Sequence, residues 1–190
     1  MFSSHTVGAP PAKARTIAYF ALFTALIAIG AFIRIPTPVC PFTLQLLFTT
    51  LAGLVMGPRR GAGAVTLYVL LGLVGVPVFT AGGGPAYVFQ PTFGYLIGFI
   101  VGAWLVGVLA GDHTTWTWRK LLFAVFANLV VVYAFGVSYT YVIVNYYLGT
   151  VSGLWGLFLY AFAAGVPGDV LVCLLTVYIA RRLRTSGIIL

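Results

Sequence analysis

Long apolar runs, separated by short polar or Gly/Pro-rich segments, constrain the fold of this chain more than any other feature. Hydrophobic residues make up 62% of the 190 residues and charged residues only 6%, whereas a water-soluble domain carries about 25% charged residues. Too few charges are present to cover a solvated surface, so we predict an all-α integral membrane protein. A helix of about 20 residues crosses a bilayer. Six transmembrane helices are predicted, over residues 16–33, 43–56, 62–76, 92–110, 121–148 and 167–184.

The basic residues form four clusters that this topology places on one side of the membrane. The clusters are Lys13 and Arg15; Arg59 and Arg60; Arg119 and Lys120; and Arg181, Arg182 and Arg184. Only Arg34 falls on the other side. Because positive residues mark cytoplasmic segments, we expect both termini in the cytoplasm of a multi-pass cell-membrane protein. The clusters are separated by apolar runs and do not form one contiguous basic surface, so the net charge of +8 does not indicate nucleic-acid binding.

The organisation predicted along the chain is one membrane domain with short ends. Residues 1–15 are expected to form a disordered cytoplasmic N-terminus, residues 16–185 the six-helix domain, and residues 186–190 a cytoplasmic tail. A membrane enzyme would need convergent acids, histidines or a metal site. His5 and His113 both fall in polar cytoplasmic segments, so no catalytic or metal site is predicted.

Asp169 is the acidic residue that lies within an apolar stretch. The chain has two acidic residues in all, and a carboxylate inside a membrane costs roughly 3 kcal/mol on insertion scales. A proline is tolerated in the first turn of a helix rather than in its interior, so we predict that helix six begins at Pro167. Asp169 would then face the positive end of the helix dipole. It could accept hydrogen bonds from the N–H groups of a ligand, or it could simply stabilise the helix start.

Two unusual outer segments, residues 35–45 and 75–92, are expected to converge with Asp169 at the outer face. Gln45 could contact a polar ligand or make an interhelical hydrogen bond, and Tyr95 could line a pocket or anchor the helix at the interface. The glycines at 82–84 could form a flexible lid or only a loop; no phosphate-loop sequence follows them. The candidate substrate-binding residues are Asp169, Gln45, Thr43, Phe79, Thr80, Gly82, Tyr87, Gln90 and Tyr95.

Small residues line one face of the first predicted helix, and one amide lies deep in the fifth. The small residues are Ala18, Ala21, Ala25 and Ala28. Small side chains let another helix approach closely. This face could therefore pack within the bundle or dock onto a separate membrane subunit. Asn128, in the fifth helix, is expected to make an interhelical hydrogen bond.

Four segments in this order resemble the BioY family. They are residues 35–45 (IPTPVCPFTLQ), 75–79 (GVPVF), 91–99 (PTFGYLIGF) and 167–169 (PGD). Members of this family are biotin-specific S components of energy-coupling-factor (ECF) transporters. The resemblance implies six membrane helices and an outward-facing biotin pocket formed by the outer loops and helices four to six. It also implies docking through helix one to a transmembrane coupling subunit driven by two ATPases, so ATP acts only through partners and the chain itself has no cofactor.

The resemblance gives Asp169 a chemical role. The ureido ring of biotin offers N–H donors to a carboxylate, and its thiophane ring and acyl chain suit aromatic walls such as Phe79 and Tyr95. The family often has a lysine three residues after this aspartate, where this chain has Val172. Some similar proteins work without the energising module, so a stand-alone vitamin facilitator or secondary transporter is the alternative to an ECF subunit.

Overall fold

The computed structural model describes residues 12–35, 42–149 and 153–186, and this part of the chain is mostly helical. Its α-helices are α1 (Ala12–Phe32), α2 (Gln45–Met56), α3 (Pro58–Val74), α4 (Phe93–Ala110), α5 (Trp118–Val142) and α6 (Leu154–Thr185). A short hairpin of β1 (Arg34–Ile35) and β2 (Phe42–Thr43) joins α1 to α2, with Arg34 opposite Thr43. The connections also contain 3-10 helices at Pro85–Phe89 and His113–Thr115, and a π-helical turn at Ile143–Tyr147.

The helices differ in the length of their apolar segments. Within the described ranges, three segments are long and apolar enough to cross a membrane: Lys13–Phe32, Phe93–Ala110 and Trp118–Tyr147. The α2 helix has 12 residues and therefore spans about 18 Å at 1.5 Å per residue. That is shorter than the hydrocarbon core of a bilayer, about 30 Å thick. The β1–β2 hairpin lies immediately before the start of α2.

Glycines allow α2, α3 and α4 to pack closely at the end of the bundle where α2 meets α3. A Cβ atom on Gly53 of α2 would lie 2.2 Å from the carbonyl oxygen of Ala103 on α4. One on Gly107 of α4 would lie 2.6 Å from the backbone nitrogen of Pro58. Backbones that approach this closely gain the van der Waals contacts that hold membrane helices together.

A polar pair joins α2 to α5 inside the bundle. The Asn128 side chain donates a 2.7 Å hydrogen bond from Nδ2 to Thr50 Oγ1, and Asn128 is only 1% exposed. This contact confirms the interhelical hydrogen bond predicted for Asn128. A buried amide needs such a partner, because leaving its donor unsatisfied in an apolar interior costs free energy.

The ends of several helices differ from the prediction. α1 begins at Ala12, so residues 12–15 are helical and were wrongly predicted to be disordered; residues 1–11 and 187–190 lie outside the described part. α3 begins at Pro58, four residues before the predicted start, because proline suits the first position of a helix. Arg59 and Arg60 therefore belong to the first turn of α3 and not to a loop.

The largest correction concerns α6. This helix runs without a break from Leu154 to Thr185 and contains Pro167 in its interior, so the prediction that helix six begins at Pro167 is wrong. Ending the helix inside an apolar environment would leave several backbone groups without partners. Continuing it leaves only the one carbonyl that a proline nitrogen cannot pair.

Side-chain contacts show which loops share an end of the bundle. Arg184, near the end of α6, donates hydrogen bonds of 2.9 Å and 2.7 Å to the carbonyls of Trp116 and Thr114 in the α4–α5 loop. At the opposite end, Tyr139 of α5 donates a 2.6 Å bond to the carbonyl of Val88 in the α3–α4 loop. The hairpin and the α3–α4 loop thus lie at the opposite end of the bundle from the α4–α5 loop.

Candidate functional site

A pocket lies at the end of the bundle that carries the hairpin and the α3–α4 loop. It is formed by β2, the starts of α2 and α4, the α3–α4 loop, and the middle parts of α5 and α6. The cavity has a volume of about 60 Å³, room for a few water molecules. Its lining residues are Phe42, Thr43, Gln45, Leu46, Thr80, Tyr87, Thr92, Tyr95, Leu96, Phe99, Val132, Tyr133, Gly165 and Asp169.

Asp169 lines this pocket with one carboxylate oxygen already engaged. The Tyr133 hydroxyl donates a 2.6 Å hydrogen bond to Asp169 Oδ2. Across the described ranges, no Lys or Arg side chain forms a salt bridge with Asp169. A carboxylate has about four acceptor positions, so Asp169 keeps the capacity to accept N–H groups from a ligand.

Because α6 is continuous, the helix dipole cannot be what stabilises the Asp169 carboxylate. A helix dipole acts mainly within the first turn, and Asp169 lies far from the start of α6 at Leu154. The dipole therefore does not explain this carboxylate, contrary to the prediction. The Tyr133 hydroxyl compensates part of its lost hydration instead, because hydrogen bonds to a charged group are stronger than those between neutral groups.

Gly165 gives Tyr133 room to reach Asp169. Gly165 precedes Asp169 by four residues, so the two residues lie on the same face of α6. A Cβ atom on Gly165 would lie 2.3 Å from the Tyr133 hydroxyl oxygen and 3.7 Å from Asp169 Oδ2. An added methyl group would therefore meet the tyrosine before it met the carboxylate.

We expect Gly165→Ala to weaken ligand binding about tenfold by displacing the Tyr133 hydroxyl, the loss of roughly one hydrogen bond to a charged group. The affinity can be measured by titration calorimetry on purified protein. The control is Gly156→Ala in the same helix, where an added Cβ would meet no atom of the described residues within 4 Å. Equal affinities of the two variants would contradict this role of Gly165.

Gln45 places a second polar group in the pocket. Its Nε2 donates a 2.9 Å hydrogen bond to the Tyr68 hydroxyl, which donates a 3.0 Å bond to the carbonyl of Val78. Thr43 donates a 3.3 Å bond to Gln45 Oε1. A side-chain amide has two N–H donors, so this network orients Gln45 and leaves a second N–H for a ligand.

The α3–α4 loop is held over the pocket by hydrogen bonds. Thr80 Oγ1 and the Tyr87 hydroxyl are 2.9 Å apart, and Arg34 of β1 donates a hydrogen bond to the carbonyl of Thr80. Gly82 and Gly84 have φ angles of +112° and +106°, which favour glycine over other residues. Arg34 therefore lies beside the pocket, joined to the loop.

The structure brings six of the nine predicted substrate-binding residues to one cavity. Those that line it are Thr43, Gln45, Thr80, Tyr87, Tyr95 and Asp169. Phe79 is only 1% exposed, and its ring packs 4.4 Å from that of Tyr87 between their centroids. Gly82 pairs with Phe79 in the loop, and Gln90 is exposed; neither lines the cavity.

Several pocket residues were not among the predicted ones. Tyr133 is the most important, since it contacts Asp169 directly. The signal was its hydroxyl in the middle of an apolar run, where a polar group needs a partner. Phe42, Phe99 and Val132 also line the cavity, but their side chains cannot be distinguished in the sequence from others that face lipid.

Val172 leaves Asp169 without a cation one turn further along α6. Val172 is 5% exposed and belongs to the hydrophobic core of the bundle. The polar partner of Asp169 in this chain is therefore a neutral hydroxyl from α5, in place of an ammonium group from α6.

Comparison with known proteins gives consistent matches. The BioY family model matches residues 4–187. The probable biotin transporter BioY of Lysinibacillus sphaericus is 41% identical over 168 residues, which cover 88% of this chain and 86% of that protein. The biotin transporter BioY of Thermotoga maritima is 44% identical over 128 residues, 67% of this chain and 72% of that one.

A solved structure matches the fold as well. The crystal structure of the S-component for biotin from an ECF-type ABC transporter superimposes with a TM-score of 0.73 at 30% sequence identity. The match covers 93% of this chain and 95% of that one. The likeness therefore extends over most of both chains.

Proposed function

This chain belongs to the BioY family, and from that premise we propose that it binds biotin in the pocket around Asp169 and mediates biotin uptake as the substrate-specific subunit of an ECF-type transporter. It is not an enzyme. The observation that carries the proposed binding mode is the placement of Asp169 and Gln45 in one cavity whose remaining wall is largely apolar and aromatic.

The two polar groups match the two kinds of polar atom in a ureido ring. Asp169 accepts hydrogen bonds from ureido N–H groups, and the second N–H of Gln45 donates to the ureido carbonyl. The rings of Phe42, Tyr95 and Phe99 cover the thiophane ring and the acyl chain. Arg34, beside the pocket through its bond to Thr80, has further N–H donors for the carboxylate at the end of the chain.

Binding requires the pocket to widen. A cavity of about 60 Å³ is smaller than the roughly 300–1,000 Å³ of typical small-molecule sites. The α3–α4 loop bounds the cavity through Thr80 and Tyr87 and is joined to the hairpin through Arg34. We propose that biotin enters when these two outer segments separate and that it is enclosed when they return.

The proposed topology has six transmembrane helices with both termini in the cytoplasm. All four basic clusters belong to the ends of helices that share one side of the bundle, and positive residues favour the cytoplasmic side. The pocket then faces outward, where an uptake protein must capture its substrate. Residues 12–185 form one membrane domain of the cell membrane in this proposal.

The exposed face of α1 is the proposed docking surface for the transmembrane coupling subunit. Ala18, Ala21 and Ala25 are exposed, and Ala28 is half-buried. Exposed small side chains allow a second helix to approach closely in a membrane. ATP then acts through the ATPase pair of the partner complex and not through this chain.

Uptake of radiolabelled biotin tests this function. Cells that produce the chain with the coupling subunit and ATPases should accumulate biotin, and cells that produce the chain alone should bind biotin at the membrane without accumulating it. Equal accumulation in both would support a stand-alone facilitator instead. Absence of biotin binding by the purified, folded chain would contradict the proposed substrate.

A further inference from the structure

A second groove lies at the opposite end of the bundle from the biotin pocket, where α2 turns into α3. It is lined by Met56, Gly57, Pro58, Arg59, Arg60, Trp104 and Val108 and has a volume of about 500 Å³. The proposed biotin-binding mode and the α1 docking surface use none of these residues. The groove combines a cationic end, at the start of α3, with an apolar side on α4.

The cationic end carries positive charge that the protein does not neutralise. Arg59 and Arg60 are both exposed, and the chain has only two acidic residues. Asp112 is engaged by the backbone N–H of Thr114 and lies 3.7 Å from His113, and Asp169 is in the biotin pocket. No carboxylate therefore neutralises this arginine pair within the described ranges.

The position of the two arginines at the start of a helix also favours binding of an anion. They lie in the first turn of α3, which contains no acidic residue, and the N-cap residue is Gly57, which has no side chain to cap the helix. The N-terminus of a helix carries a partial positive charge and disfavours cations. Two guanidinium groups here repel both each other and the helix end, and a bound anion relieves both effects.

The apolar side of the groove favours an anion with an apolar part over a small soluble anion. Trp104 is 47% exposed and Val108 is 46% exposed. Trp104 precedes the end of α4 at Ala110 by six residues, which places it about 9 Å deeper along the helix at 1.5 Å per residue. Tryptophan favours the interfacial depth just below lipid headgroups. A ligand that fills the groove therefore has an anionic head and an apolar tail.

We propose that this groove binds one anionic phospholipid of the inner leaflet. Its phosphate lies between the guanidinium groups of Arg59 and Arg60, and an acyl chain lies along Trp104 and Val108. Arginine suits this role because its planar fork of N–H donors matches the oxygens of a phosphate. The inference depends on charge and shape at the α2–α3 turn, and its assignment to the inner leaflet rests on the proposed topology; it does not depend on biotin as the substrate.

Native mass spectrometry of the purified full chain tests the site, with phosphatidylglycerol and phosphatidylcholine as probes. The unmodified chain should retain one phosphatidylglycerol in preference to phosphatidylcholine. Arg59→Gln/Arg60→Gln should weaken that retention on the order of tenfold, since each basic residue near a membrane surface contributes to attracting anionic lipid. Trp104→Ala should also reduce it without changing the charge. Thermal unfolding checks that each variant is folded.

The matched control is Arg181→Gln/Arg182→Gln at the end of α6, which removes the same charge from exposed positions outside the groove. It should leave the retained phosphatidylglycerol unchanged. Equal losses in the two double variants would show unspecific attraction and overturn the site. Displacement of the lipid by inorganic phosphate would indicate a soluble anion and overturn it as well. Retained lipid with lost assembly of Arg59→Gln/Arg60→Gln onto the coupling subunit would identify a protein docking surface instead.

Discussion

Replacing Asp169 with asparagine is expected to weaken biotin binding about 100-fold. The substitution keeps the shape of the side chain and removes its charge and one of its two acceptor oxygens. Hydrogen bonds to charged groups contribute about 1.5–3 kcal/mol each, and each 1.4 kcal/mol changes the affinity about tenfold. Titration calorimetry with purified protein measures the dissociation constant directly.

The control for this prediction is Asp112→Asn, which alters the other acidic residue of the chain. Asp112 caps the 3-10 helix of the α4–α5 loop by accepting a 2.8 Å hydrogen bond from the Thr114 backbone. This bond holds the pKa of the exposed Asp112 carboxyl below its usual value. The substitution should leave biotin affinity unchanged. Full affinity in folded Asp169→Asn protein would exclude Asp169 as the acceptor for biotin.

The double substitution Ala21→Trp/Ala25→Trp is expected to abolish energised biotin uptake while biotin binding stays within about twofold of the unmodified chain. Both alanines are exposed on α1, and two indole rings there would keep a second helix from approaching closely. The pocket contains no residue of α1. Copurification of the coupling subunit and uptake of radiolabelled biotin measure docking and transport separately.

A tryptophan placed elsewhere on the outside of the bundle serves as the control for the docking prediction. Val130 on α5 is 67% exposed, so Val130→Trp adds similar bulk to a different face. This variant should keep the coupling subunit and its uptake activity. Normal copurification of the subunit by the double alanine variant would rule out the α1 face as the docking surface.

The sequence predicted the outer segments well and the environment of Asp169 less well. Six of the nine candidate residues line one cavity, because Pro/Gly-rich segments at membrane depth leave few places for a polar side chain other than a protein interior. The error concerned Pro167. Local propensity favours a helix start there, but the membrane penalty for ending a helix is larger than the penalty for one lost hydrogen bond.

The contacts around Asp169 could not be predicted from the sequence. Tyr133 is 36 positions away in the chain and contacts Asp169 at 2.6 Å. Gly165 matters only because the Tyr133 hydroxyl occupies the space of its missing side chain. Neither contact has a local pattern, since each depends on how α5 and α6 are rotated against each other.

The amino-acid sequence by itself determined that this chain is a helical membrane protein. It also determined that the basic residues cluster on one side of the predicted helices, and which carboxylate lies within an apolar segment. These conclusions follow from the transfer of side chains between water and hydrocarbon, an energy that depends on residue type and position alone. Only the tertiary structure decided that Asp169 lies inside a continuous α6 and that a tyrosine hydroxyl from α5 is its partner. It also placed Arg59 and Arg60 beside Trp104. Those pairings depend on the distance between side chains from different helices, and packing of the whole bundle sets that distance.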